Sequence, residues 1–143
     1  MIEILKMGLF DRLSGTKVEL NPKSAMYLAA ITMIGVDGEI EDEEMNDLYK
    51  LVRGDDKNFD VALKLYKAKE IRECIPLIAT CLNEKQKIAT ICILLDIAMA
   101  DGILVGNEEK LMQEYITAFG IKDDIINDIV DVISLKNDPT IFK

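Results

Sequence analysis

Apolar residues recur along this chain at intervals of three and four, the spacing of one helical face, and almost nowhere alternate as a half-buried strand requires. Ile2, Leu5, Leu9 and Leu13 form the first such stripe, which breaks at Ser14-Gly15-Thr16. Asn21 before Pro22 predicts a helix start, and the run Ala25 to Val36 that follows is apolar on nearly every face, as a central, buried helix would be. Asp37-Gly38 ends it. The acids Glu41 to Glu44 then favour a helix N-terminus, Met45, Leu48, Tyr49 and Val52 make an amphipathic stripe, and Gly54 supplies the stop.

The middle of the chain carries two further stripes, Phe59, Ala62, Leu63, Tyr66 and then Ile71, Ile75, Ile78, Leu82. Pro76 interrupts the latter, and must either kink that segment or start its main helix, because proline cannot donate an interior hydrogen bond. Asn83 followed by Gln86 resembles a capping box and opens a second nearly all-apolar helix, from about Glu84 to Ala100, which mirrors the first central one. After Asp101-Gly102, Met112, Tyr115, Ile116 and Phe119 give an amphipathic helix ending at Gly120, and Ile126, Ile129, Val130 and Ile133 give the last.

These elements define an all-α fold class: one compact domain of about seven or eight helices with an internal pseudo-repeat of two helix-turn-helix units. Residues 1–22 read as an N-terminal helix and loop, 23–133 as the core and 134–143 as a tail. The repeat rests on a single offset of 64 residues, which matches Asp37 with Asp101, Gly38 with Gly102, Ile40 with Leu104, Glu44 with Glu108, and Leu48, Leu51 and Val52 with Met112, Tyr115 and Ile116. Residues 25–53 and 89–117 are therefore expected to superpose. The second copy departs where Glu109 faces Met45 and Val105 faces Glu41, so its helix starts differently, through Gly106 or Asn107.

Composition narrows the function classes. With 17 basic and 26 acidic residues the formal net charge is -9, which repels phosphate backbones and argues against a nucleic-acid partner. Met1 to Leu13 includes Glu3 and Lys6 and lacks the uninterrupted apolar stretch of a signal peptide, and Ile88 to Ala100 is too short to span a bilayer, so a cytoplasmic location without a transmembrane segment is expected. Cys74, Cys81 and Cys92 show no Cys-x-x-Cys spacing and read as reduced, buried thiols. The chain contains no histidine, which removes the commonest metal ligand and the commonest general base, and no glycine-rich phosphate loop occurs. No cofactor and no catalytic residue follow from these patterns, and the chain is not expected to be an enzyme.

The remaining candidate chemistry is carboxylate chemistry. Asp37 and Glu44 in one unit, with Asp101 and Glu108 in the other, are candidate oxygen ligands for a hard divalent cation. Each also has a purely structural role available: the aspartate accepting turn hydrogen bonds, the glutamate meeting the positive end of a helix dipole. Neither loop is an EF-hand, since the sixth and twelfth positions from Asp37 hold Asp42 and Leu48, and the twelfth from Asp101 holds Met112. Asp96 interrupts the most apolar helix and is expected to be partly exposed or hydrogen-bonded, the alternative being a perturbed general base in a carboxylate-dependent hydrolase.

A buried helix ending in Ala98-Met99-Ala100-Asp101-Gly102, an aliphatic residue, then an acidic helix start, occurring twice, resembles the tellurite-resistance TerB-like family. Met7-Gly8-Leu9-Phe10-Asp11-Arg12-Leu13 is similar to the way many such chains begin, and the resemblance covers about residues 23–133. It implies an all-helical fold with an internal pseudo-repeat, a bacterial stress setting and a metal-related role without established catalysis. It carries over to Asp37, Gly38 and Glu44, and to Asp101, Gly102 and Glu108. The reading is a stress-related binding or adaptor domain with a protein partner, the alternative a divalent-cation sensor. The stripe Ile2, Leu5, Leu9, Leu13 is a candidate for docking onto another protein or a membrane edge, unless it covers the core.

Overall fold

A computed structural model describes residues 19–100, 104 and 106–143 of the chain, and these form seven α-helices with no strand among them. They are α1 (Pro22–Ile34), α2 (Asp42–Val52), α3 (Asp56–Ala68), α4 (Ile71–Cys81), α5 (Glu84–Ala98), α6 (Gly106–Phe119) and α7 (Asp123–Lys136), followed by one 3-10 turn, Pro139–Phe142. The stripe expected at Ile2 to Leu13 lies outside the described residues, as do Asp101 and Gly102.

Local chemistry explains most of the boundaries. Asn21 caps α1 by accepting from the Ser24 N–H at 2.8 Å, while the Asn21 N–H donates to Ser24 Oγ at 2.9 Å. Asn83 and Gln86 close the same reciprocal pair at the start of α5. Pro76 lies within α4, which starts upstream at Ile71 where the Glu70 N–H donates to Glu73 Oε1 at 3.0 Å, so proline does not begin this helix. α2 stops one residue earlier than Gly54 suggests, with Arg53 itself in the left-handed region at φ 52°. The segment expected as a tail, 134–143, begins inside α7 and includes the 3-10 turn.

Helix α1 is the centre of the domain. From Ala25 to Ile34 it is apolar all round, apart from Thr32, and α3, α4, α5, α2 and α6 all pack against it. The second apolar helix does not mirror it. α5 buries Ile91, Leu94, Leu95 and Ala98 but leaves Ala89 exposed and Ile88, Cys92, Ile93 and Ile97 half-buried, because only α1, α6 and α7 pack on it closely. Tyr49 departs from its expected stripe too, standing 55% exposed with its ring edge-on to Phe59. The 64-residue offset recurs at two pairs of helix boundaries: Ile34 and Ala98, which end α1 and α5, and Asp42 and Gly106, which begin α2 and α6.

Two polar groups of contacts tie the helices together. Tyr115 of α6 hydrogen-bonds Thr32 of α1, both wholly buried, and the Thr32 hydroxyl also reaches the Ala29 carbonyl at 2.7 Å. At the opposite end of α1, Asp55 caps α3 and accepts from Asn58 Nδ2 at 2.9 Å, from the Tyr27 hydroxyl at 3.2 Å and from Lys23 at 3.5 Å. The Asn58 amide above all holds the Asp55 carboxyl below its ordinary range, helped by Tyr27 and Lys23. A carboxyl with a folded pKa below its unfolded one contributes stability above the unfolded value, near 3.8, and loses it as pH falls through the folded value. Asp55→Asn, which keeps a cap, is therefore expected to melt lower than wild type at neutral pH and to converge with it as melts are carried progressively below pH 3.8.

Candidate functional site

The turn after α1 is built from its sequence. Gly35 ends the helix with its N–H on the Ile31 carbonyl at 2.8 Å, and the Gly38 N–H returns to the Gly35 carbonyl at 2.9 Å. Gly38 adopts φ +96° in open space, so it is the backbone conformation rather than crowding that calls for glycine. Val36 and Ile40 fold back against the core on either side, which pushes Asp37 and Glu39 outward. Leu104 packs on the core as its repeat partner Ile40 does.

Beyond this turn the first residues of α2 face the same space. The Glu41 N–H donates to Glu44 Oε1 at 2.9 Å, so Glu44 closes the first turn of α2 and meets the positive end of its dipole. The second unit approaches through α6, whose Asn107 Nδ2 donates to Asp37 Oδ1 at 3.1 Å. Asn107 was identified in the sequence only as a helix start. Its bond to Asp37 joins one unit's turn to the other unit's helix N-terminus, and the only hint of it is the 64-residue offset, which aligns Asn107 with Glu43.

The result is an acidic cleft of about 600 Å³ between the two units. Seven carboxylates line it, those of Asp37, Glu39, Glu41, Glu43, Glu44, Asp47 and Glu108, over an apolar floor that includes Ile34, Val36 and Ile97. Among the described residues no lysine or arginine lines it. Three of the four expected cation ligands, Asp37, Glu44 and Glu108, thus share one cleft, and the fourth, Asp101, lies outside the described residues. The oxygen donors suit a hard cation, but among the described residues no three carboxylate or thiol groups stand close enough to share one ion. Seven like charges around one low-dielectric floor favour whatever positive charge enters.

Asp96 lies elsewhere, on the outer face of α5. Its carboxylate is 48% exposed and pairs with Lys136 of α7 at 2.7 Å, so exposure and pairing together meet the cost of a charge in this apolar helix. The three cysteines are free thiols, Cys74 buried and the other two half-buried, and burial pushes all three pKa values up, away from the reactive thiolate. Among the described residues no helix is long and apolar enough to cross a membrane.

An all-helical domain centred on one buried helix, with an acidic cleft beside the turn that ends it, is the class these observations define. The family model of tellurite resistance protein TerB matches residues 23–130, and the chain belongs to that family. No curated protein and no solved structure matches it significantly.

Proposed function

We propose that this domain acts without catalysis, as a cytoplasmic, stress-related binding module that receives a basic segment of a partner protein in the acidic cleft. The observation that supports this is the gathering of seven carboxylates around an apolar floor, with no basic side chain among the described residues that line it. Such a floor suits the methylene stems of Lys and Arg, whose charged heads would reach the carboxylates at the rim. The second reading is a divalent-cation sensor, favoured by the approach of Asp37, Glu44 and Glu108 to one cleft from both units. A cation would draw these groups together and change the face offered to a partner.

The test compares wild type with a Asp37→Asn, Glu44→Gln, Glu108→Gln variant. Asparagine can still accept from Asn107 and glutamine can still close the first turn of α2, so charge is removed while local structure is kept. Calorimetry with a hexalysine peptide should give binding that weakens with salt and disappears in the variant. If the cation reading holds instead, millimolar calcium or magnesium raises the melting temperature of wild type alone; saturation at about a hundred times Kd corresponds to about 2.7 kcal/mol. Asp37→Asn with Asp101→Asn should abolish the same shift. Equal peptide binding by wild type and variant would overturn the cleft as the working face, and equal metal shifts would withdraw these residues as ligands.

A further inference from the structure

The acidic cleft takes in Ile97 near the end of α5 and Glu108 near the start of α6. About 14 Å back along α5, at Ile88, a separate pocket of about 240 Å³ opens between the first turns of α5 and the turn that joins α6 to α7. Its walls are apolar: Phe119 is buried, with its ring 5.6 Å from that of Tyr115 in the core, and Ile88, Ile121 and Ile125 are half-buried. Lys87 and Lys122 border it, with Glu84 as the single carboxylate. Among the described residues neither lysine belongs to an ion pair. The larger groove of about 560 Å³ between α5 and α7 differs in this respect, because its one lysine, Lys136, is held by Asp96 at 2.7 Å and Asp128 adds a further negative charge. An apolar molecule that carries a negative charge is therefore matched by the smaller pocket and repelled by the larger groove.

We infer that the smaller pocket binds a short aliphatic carboxylate, with its chain against Phe119 and the three isoleucines and its head group toward Lys87 and Lys122. The charge count selects a carboxylate. Two lysines less Glu84 leave one net positive charge, which a monoanion neutralises and a phosphate dianion exceeds. The size selects a short chain, since the pocket equals about eight water volumes of roughly 30 Å³ each and so holds a chain of about six to eight carbons. Apolar walls under a charged rim suit such a ligand, because the chain leaves water while the head group stays at the mouth. This site lies at the other end of α5 from the acidic cleft and takes the opposite charge, so it stands apart from the binding of a basic segment.

Octanoate titrated into the full chain, with the isoleucine methyls followed by NMR, tests this. Ile88, Ile121 and Ile125 should shift and saturate, at octanoate concentrations at least about tenfold below those at which octanol acts on the same methyls. Lys87→Gln with Lys122→Gln should raise the half-saturation point for octanoate at least about tenfold and leave the melting temperature of the ligand-free protein unchanged, since neither lysine is tied into an ion pair. Shifts that saturate first at Ile129 and Ile133 would overturn the inference, because the larger groove would then be chosen for its apolar surface alone. An absence of saturable shifts at Ile88, Ile121 and Ile125 in the millimolar range would overturn it too, as would unchanged affinity in the double variant or tighter binding of octyl phosphate than of octanoate. Equal affinities for octanol and octanoate, measured on the unsubstituted chain, would overturn it even if the double substitution unfolded the domain.

Discussion

Thr32→Val is expected to destabilise the domain by about 2 kcal/mol, more than Tyr115→Phe at about 1 kcal/mol, although both remove the same hydrogen bond. The difference follows from what each leaves behind. Without the Tyr115 hydroxyl, Thr32 keeps its bond to the Ala29 carbonyl, so no buried group is orphaned. Without the Thr32 hydroxyl, the Tyr115 hydroxyl stays wholly buried and loses its partner, in a protein where no described buried side-chain polar atom lacks one. Thermal melts should register the valine variant some 5–10 °C below wild type, and the double variant should fall closer to Tyr115→Phe than to the sum. Equal losses in the two single variants would refute this assignment of donor and acceptor. Burial, foremost, also drives the Tyr115 pKa above its ordinary 10.0. A folded value above the unfolded one means that its contribution is intact below about pH 10 and is lost as pH rises beyond it, so phenolate absorbance from Tyr115 should emerge only with alkaline unfolding.

Gly35→Ala is expected to cost about 1–3 kcal/mol even though its backbone conformation is open to any residue. A β-carbon there would collide with the Tyr66 hydroxyl and stand 2.9 Å from Tyr66 Cζ and 3.2 Å from the Ile31 carbonyl. The rigid phenol ring of α3, which itself donates to the Gly35 carbonyl at 3.3 Å, has to move. Tyr66→Phe removes the worst collision but not the ring carbon, so it should recover part of the loss. Urea midpoints for the two single variants and the double variant check this, and strictly additive losses would show that the collision is not the cause.

Gly35 also marks how far the sequence could be read. The helices were legible because caps and stripes act within a few residues: Asn21 with Ser24, Asn83 with Gln86, and the acids before Met45 all do locally what their types predict. Asp37, Glu44 and Glu108 could be nominated for the same reason, since the repeat places like residues at like turns. Contacts between distant segments could not be read. Nothing near Gly35 announces Tyr66, nothing near Asp37 announces Asn107, and Glu43 and Asp47 join the cleft only because of the way α2 is turned in the fold. The apolar content of α5 equally concealed its outer face, since a run of Ile, Leu and Ala does not record how many neighbours will cover it.

The bond between Thr32 and Tyr115 spans 83 positions of chain, which sets an order of events during synthesis. Residue 32 leaves the ribosome on the order of ten seconds before residue 115 does. Through that interval the threonine hydroxyl has the Ala29 carbonyl, one turn back in its own helix, to satisfy it. Helices α2, α3 and α4 can therefore gather around α1 as they emerge, with no unmet hydroxyl at the centre to draw in water, before Tyr115 arrives to complete the bond.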